Sequence, residues 1–135
     1  VDRESTTKDL VNNVKELRAR YPALIGSIMD AIGETVLLAR NALESNDLAT
    51  VAELMNINQG LLEALGVSTG RVNSLIYAAR RAGALGAKLS GAGGGGIVIA
   101  LAPEAVKEVT IAMEIAGGHP FPVEKDDEGA RVDEH

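Results

Sequence analysis

The sequence predicts an α+β domain in which several helices pack on one face of a small, mostly antiparallel sheet. Apolar residues recur at helical spacing along the chain up to Gly83. After Gly83 two short segments have the composition of strands, and a run of glycines separates them. A length of 135 residues fits one domain with one hydrophobic core.

Four helices are predicted before Gly83. Each begins at a capping side chain or a proline and ends at a residue that breaks helices. Ser45-Asn46-Asp47 separates the second helix from the third and caps the third, and Gly66 ends it. The predicted helices run from the Ser5-Thr6-Thr7 caps to Tyr21-Pro22, from about Ala23 to Leu43, from about Leu48 to Leu65, and from the Ser68 cap to Gly83.

The remaining elements contain the predicted sheet. Ala87-Lys88-Leu89-Ser90 and Ile97-Val98-Ile99-Ala100-Leu101 are predicted strands. Pro103-Glu104 opens a further helix to about Ala116, which Gly117-Gly118 ends. A closing hairpin is expected from Phe121-Pro122-Val123 and Ala130-Arg131-Val132 around the solvated acidic turn Asp126-Asp127-Glu128-Gly129.

The amino-acid composition argues against several classes of function. Nineteen acidic and thirteen basic residues give a net charge of −6, and no basic cluster is present, which argues against nucleic acid and acidic membranes as partners. The absence of cysteine excludes disulfides and thiol nucleophiles and makes the cytoplasm the expected location. No apolar run is expected to reach the length of a membrane span, and the first residues lack signal-peptide character. His119 and His135 are not expected to form a metal site.

The segment Gly91-Ala92-Gly93-Gly94-Gly95-Gly96 is the strongest candidate site. Such a run costs conformational entropy, and its physical use is to let backbone N–H groups approach an anion such as phosphate. The alternative is a purely structural loop that another backbone approaches closely. A dinucleotide-binding fingerprint is disfavoured because a strand, Ile97 to Leu101, follows the glycines. A Walker A loop fails because Lys88 and Ser90 precede them.

The segment from Gly83 to Gly96, GALGAKLSGAGGGG, resembles the third conserved motif of the GHMP kinase superfamily of small-molecule kinases. The segment from Met55 to Ser68, MNINQGLLEALGVS, is similar to the mevalonate kinase branch of that superfamily, as are the opening residues 6–11 and the closing residues 129–133. The match covers nearly the whole chain. Ile97 stands where the family often has Cys, and Ser90 where it often has Thr.

The resemblance implies the C-terminal, ferredoxin-like domain of an enzyme that transfers the γ-phosphoryl of ATP to the 5-hydroxyl of mevalonate in isoprenoid biosynthesis. It also implies that an N-terminal half holds most of the contacts to ATP and Mg²⁺ and supplies the catalytic base. Residues 1–135 are therefore expected to form one domain that is inactive alone. Alternatives are phosphomevalonate kinase or another GHMP kinase, and a non-catalytic binding or dimerisation module.

By the same resemblance the glycine loop lies at the cleft between the two halves, and Thr7 lies near the substrate. Thr7 has the alternative role of a helix cap, and Lys88 that of a solvent-exposed lysine. Asn56, Asn58 and Gln59 either line the cleft or tie their helix to a neighbour, because buried amides need partners, and the structural role is preferred. Part of the second or third helix is a candidate homodimer face. The predicted phosphate and substrate-cleft residues are Thr7, Lys88, Ser90, Gly91, Ala92, Gly93, Gly94, Gly95 and Gly96.

Overall fold

The computed structural model describes Asp2 and residues 4–124. Within them, five helices pack against a two-stranded antiparallel sheet, which confirms the predicted fold class. In chain order the elements are α1 Thr7–Arg20, α2 Pro22–Glu44, α3 Leu48–Ala64, α4 Gly70–Arg81, β1 Gly86–Ser90, β2 Ile97–Leu101 and α5 Val106–Ile115.

The helices form layers on the sheet. Helix α2 packs along α3, and α3 packs against β1, so α3 lies between α2 and the sheet. Helix α4 packs against both strands and against α5. The core between α4 and the sheet contains Val72, Ile76, Ala87 and Leu89, which are all almost fully buried.

Alternation along the strands determines which side chains reach this core. Strand β1 pairs with β2 so that Leu89 lies opposite Val98 and Lys88 lies opposite Ile99. Leu89 and Val98 contribute to the core. Because successive side chains of a strand point to opposite faces, Lys88 lies on the other face of the sheet.

The polar side chains of α3 attach this helix to β1. Asn56 Oδ1 accepts a hydrogen bond from the backbone N–H of Ala87, and Asn56 Nδ2 donates to the carbonyl of Leu85. At Gly86 an added Cβ would lie 2.7 Å from the carbonyl oxygen of Ala52 on α3. Glycine at this position therefore allows the backbone of α3 to approach the strand.

Hydroxyl and carboxylate caps begin three of the helices. Thr6, Asp47 and Thr69 accept hydrogen bonds from backbone N–H groups in the first turns of α1, α3 and α4. Thr69, and not Ser68, is therefore the cap of α4, because the Ser68 hydroxyl is engaged elsewhere, with the carboxamide oxygen of Asn73 at 2.6 Å.

Two predictions near the C-terminal end are wrong in part. Helix α5 begins at Val106, since Pro103-Glu104 forms a turn before it. Residues 121–124 are not in a strand, and Phe121 and Val123 are exposed. The predicted acidic turn and second strand of the hairpin, like His135, lie outside the part of the chain that the structure describes.

Helix α2 corrects the expectation about membrane spans. By length and composition alone, Pro22–Glu44 is apolar enough to cross a membrane. Isolated charges such as Asp30 interrupt the apolar run in sequence, whereas the helix as a whole remains apolar. In the fold α2 packs on α3, and buried Asn58 of α3 donates to Thr35 Oγ1 of α2 at 3.0 Å.

Candidate functional site

The glycine loop, residues 91–96, connects the two paired strands. Ser90 and Ile97 are register partners, so the loop projects from one end of the sheet. All five glycines of the loop have positive φ angles between 70° and 119°. Side chains rarely tolerate this region, so the loop conformation requires glycine at these positions.

Part of this loop is buried against a neighbouring backbone. The N–H of Gly94 donates to the carbonyl oxygen of Val67 at 2.8 Å, and a Cβ on Gly93 would overlap that same oxygen. Gly91 and Ala92, in contrast, are exposed. The close approach of another backbone, which is the structural alternative, therefore accounts for Gly93 and Gly94. Gly91 and Ala92 are the exposed residues of the loop, and Gly96 is partly exposed.

The N-terminus of α1 lies beside the same loop. The N–H of Glu4 donates to the carbonyl oxygen of Gly94 at 2.6 Å. The helix cap is Thr6, whose Oγ1 accepts from the N–H of Asp9 at 3.1 Å, so Thr7 does not have the capping role. Thr7 is exposed in the first turn, and it lines a shallow concavity of about 390 Å³ together with Glu4, Ser5, Thr6 and Asp9.

Lys88 and Ser90 lie on the sheet face opposite the core, opposite Ile99 and Ile97. Both isoleucines are at least half exposed, so this face is largely uncovered. Lys88 itself is half-buried, and desolvation lowers the pKa of its ammonium group from the ordinary value of 10.5. Lys88 is therefore not the fully solvent-exposed lysine that the sequence allowed as an alternative. A partly desolvated ammonium favours an anionic neighbour, because such a neighbour restores the electrostatic stabilisation lost with water.

Beneath the loop lies a buried polar cluster that sequence patterns did not indicate as a unit. Gln59 is fully buried, and its Oε1 accepts from the N–H of Leu89 at 2.8 Å. Its Nε2 donates to Ser68 Oγ at 3.0 Å, and Ser68 Oγ donates to Asn73 Oδ1. In the sequence, the signal of this cluster is three amides within an apolar helix. The hydrogen bonds of Asn56, Asn58 and Gln59 confirm the predicted structural role of these amides.

The described residues offer no metal centre. No group of three or more His, Asp or Glu side chains in Asp2 and residues 4–124 is arranged to hold a metal ion. His119 is exposed and lines a concavity with Arg71 and Ser74 at the start of α4. The structure thus brings Thr7 to the glycine loop at one end of the sheet, with Ser90 at the entry to the loop and Lys88 on the uncovered face.

Comparison with known proteins places this arrangement in a family. Residues 39–117 match the family described as GHMP kinases C terminal. The chain is 47% identical to a mevalonate kinase of Pyrococcus horikoshii and 48% identical to one of Thermococcus gammatolerans, in each case over 96% of the chain and 40% of the relative. The chain therefore spans about 40% of the length of these relatives.

Solved structures agree with the sequence comparison. The structure of L. major mevalonate kinase in complex with R-mevalonate has a TM-score of 0.74 and 35% identity, covering 83% of this chain and 34% of that one. The mevalonate kinase of Methanococcus jannaschii has a TM-score of 0.68 and 29% identity, covering 85% of this chain and 34% of that one. The match extends over more than half of the sequence, and the chain belongs to the GHMP kinase C-terminal domain family.

Proposed function

We propose that this chain is the C-terminal domain of an ATP-dependent mevalonate kinase. The observation that carries the proposal is the glycine loop beside the N-terminus of α1, in a chain about 47% identical to mevalonate kinases along almost its whole length. In the reaction the bond from the γ-phosphorus of ATP to the bridging oxygen of the β-phosphate breaks, ADP leaves, and the phosphoryl group joins the 5-hydroxyl oxygen of mevalonate. The hydroxyl proton passes to a base that we place in the N-terminal half of the enzyme.

The residues of this chain fit a supporting role at the phosphoryl group. Phosphoryl transfer depends mainly on positioning and on electrostatic stabilisation of the transferring group. Gly91 and Ala92 are exposed, Ser90 offers a hydroxyl group at the entry to the loop, and Lys88 offers a partly desolvated positive charge. Thr7 offers a second hydroxyl group at the N-terminus of α1, which lies beside Gly94. Gly93 to Gly96 hold the loop in the conformation that presents these groups.

ATP and Mg²⁺ are the cofactors of the proposed reaction. Mg²⁺ prefers carboxylate and phosphate oxygens, and the described residues contain no cluster of carboxylates arranged to hold it. We therefore place the metal with the phosphates of ATP in the N-terminal half, where it neutralises the charge that develops during transfer. This chain contributes the facing wall of the cleft.

We place the enzyme in the cytoplasm.

The test is an assay of ADP release with MgATP and mevalonate. The 135-residue chain and the full open reading frame that contains it are assayed side by side, with phosphomevalonate, homoserine and galactose as alternative substrates. Mevalonate-dependent ADP release by the longer protein alone is the expected result. Preference for another alcohol would assign a different GHMP kinase, release by the chain alone would contradict its inactivity, and no release with any substrate would favour a non-catalytic module.

We also propose that the enzyme forms a homodimer through α2. Met29, Val36 and Leu43 lie seven residues apart along this helix and are 41%, 58% and 58% exposed. Ile25, Ile32 and Ala39 alternate with them along the helix. The second set packs into the core or against it or lies partly buried, whereas the first faces outward.

A second copy of the chain is the occupant that best fits this surface. Helix α2 is separated from the sheet by α3, so a segment that binds at the glycine loop does not cover it. An antiparallel pair centred midway between positions 30 and 40 places Arg40 of each copy opposite Asp30 of the other. Within the residues that the structure describes, Arg40 forms an exposed ion pair with Glu44 at 4.0 Å, which contributes little to stability and leaves the guanidinium group available to a partner.

Analytical ultracentrifugation of charge variants tests the dimer. Asp30→Arg and Arg40→Asp singly are expected to weaken association, and the double variant Asp30→Arg/Arg40→Asp to restore it. Val36→Glu is expected to give monomers, whereas Ile111→Glu, at a comparably exposed apolar residue of α5, leaves the dimer intact. A monomeric wild type, or equal effects of Val36→Glu and Ile111→Glu, would contradict the proposal.

A further inference from the structure

In addition to Glu4 and the start of β2, two further parts of the chain support the glycine loop. The first is the end of β1, where Leu89 and Ser90 lead directly into the loop. The second is the segment that joins α3 to α4, because the carbonyl oxygen of Val67 accepts from the N–H of Gly94. The position of the loop therefore depends on the position of β1 relative to residues 67 and 68.

One side chain bonds to both supports. Gln59 accepts from the N–H of Leu89 through Oε1 and donates to Ser68 Oγ through Nε2. Gln59 is 0% exposed, so the bond to Leu89 is shielded from water, whereas the bond to the partly exposed Ser68 is partly buried. Asn73 Oδ1 accepts from the Ser68 hydroxyl at 2.6 Å and from Gln59 Nε2 at 3.4 Å, and Nε2 also donates to Glu63 Oε1 at 3.4 Å.

We infer that Gln59 is a positioning residue that helps to fix the glycine loop by holding the end of β1 and the segment between α3 and α4 at once. The carboxamide suits this role because it offers an acceptor and a donor on one rigid plane. An apolar side chain of the same volume offers neither, and it leaves the N–H of Leu89 unpaired in a buried environment. The inference about catalysis rests on the proposed function, whereas the inference about the loop itself does not.

Hydrogen exchange of the 135-residue chain tests the structural part. In Gln59→Met the backbone amides of Leu89 and Gly94 are expected to exchange about tenfold faster, which corresponds to the loss of roughly one hydrogen bond at each support. The matched control is Asn58→Leu, since Asn58 is a buried amide on the same helix that bonds to Thr35 on α2 instead. It is expected to leave Leu89 and Gly94 protected.

Two results would overturn the inference. One is unchanged protection of Gly94 in Gln59→Met, which would show that the loop does not depend on this side chain. The other is equal loss of protection in Asn58→Leu, which would show general destabilisation. If Gln59→Met fails to fold, Ser68→Ala removes the bond from Gln59 Nε2 to the second support and leaves the bond to Leu89 in place. It is expected to reduce the protection of Gly94 while Leu89 stays protected, and unchanged protection of both amides would count against the inference.

Steady-state kinetics of the full open reading frame tests the catalytic part. Gln59→Met is expected to lower kcat about tenfold with an unchanged KM for mevalonate, because a displaced loop affects the transferring group more than substrate binding. Asn58→Leu is expected to change neither constant. Equal kinetics of the two variants would contradict the catalytic role. An inactive wild type would contradict the proposed function, and the exchange experiment would still decide the role of Gln59 in the loop.

Discussion

The carboxamide oxygen of Gln59 accepts a hydrogen bond from the backbone N–H of Leu89 at 2.8 Å. Asn56, one helical turn earlier on α3, makes the equivalent contact with Ala87 on the same strand. These two amides fix the position of α3 along β1 and so relate the helix to the loop that follows the strand. The placement of α3 against the sheet therefore depends on these few contacts.

Gly86→Ala is expected to lower the free energy of unfolding by about 2 kcal/mol, because the added Cβ meets the backbone of Ala52, which cannot move away as a side chain can. Gly60→Ala is the matched control, since Gly60 is helical and has no atom within 4 Å of an added Cβ. It is expected to raise the free energy of unfolding by about 0.5–1 kcal/mol. Urea unfolding measures both, and a Gly86→Ala protein as stable as wild type would show that α3 is not held close to β1.

Gly93→Ala is expected to destabilise the chain by about 2 kcal/mol more than Gly91→Ala. The two glycines have nearly equal φ angles, 91° and 87°, so the backbone strain of the substitutions is similar. Only at Gly93 does the Cβ overlap the carbonyl oxygen of Val67, whereas the surroundings of Gly91 are open. Thermal unfolding of the pair measures the difference. Equal destabilisation would mean that the loop does not lie on Val67.

Lys88→Met is expected to raise the free energy of unfolding at pH 7. Desolvation lowers the pKa of Lys88 in the folded chain below its ordinary value of 10.5, so the unfolded chain binds more protons between the two values. The contribution of Lys88 to stability therefore improves as the pH rises through this interval. Urea unfolding from pH 7 to 10.5 should show the advantage of Lys88→Met shrinking with pH. A constant advantage would exclude desolvation as its cause.

Asp47→Asn is expected to reduce the loss of stability in acid. Hydrogen bonds from the hydroxyl and the backbone N–H of Thr50 lower the pKa of Asp47 below its ordinary value of 3.8. Its contribution is therefore complete above pH 3.8 and is lost as the pH falls through the lowered pKa. Asparagine also caps helices but does not titrate, so the variant should show a flatter stability profile below pH 4. Identical profiles for the two proteins would contradict this role.

Local patterns in the sequence were sufficient for most of the secondary structure. The strand Ile97–Leu101 has the predicted bounds, and the helices end within one or two residues of the glycine or polar residue that was expected to stop them. Asp47 caps α3 as predicted because its partner, Thr50, is only three residues away. Such features depend on neighbours in the sequence and are visible without the fold.

Contacts between segments that are distant in the sequence determine the cap of α4 and the position of the glycine loop. Ser68 is as good a capping residue as Thr69, but the amide of Gln59 and the carboxamide of Asn73 engage its hydroxyl. Gly93 and Gly94 bring the loop against Val67, which no sequence spacing indicates. The role of Thr7 stays a prediction, although the structure removes its capping alternative by giving that bond to Thr6.

The amides of α3 also determine how the sheet can be extended. An uncovered edge strand offers free N–H groups with which another strand can pair, and proteins commonly protect such edges from aggregation. On β1 the N–H groups of Ala87 and Leu89 are already occupied by Asn56 and Gln59. Any additional strand, from this protein or from another, must therefore join the sheet beside β2.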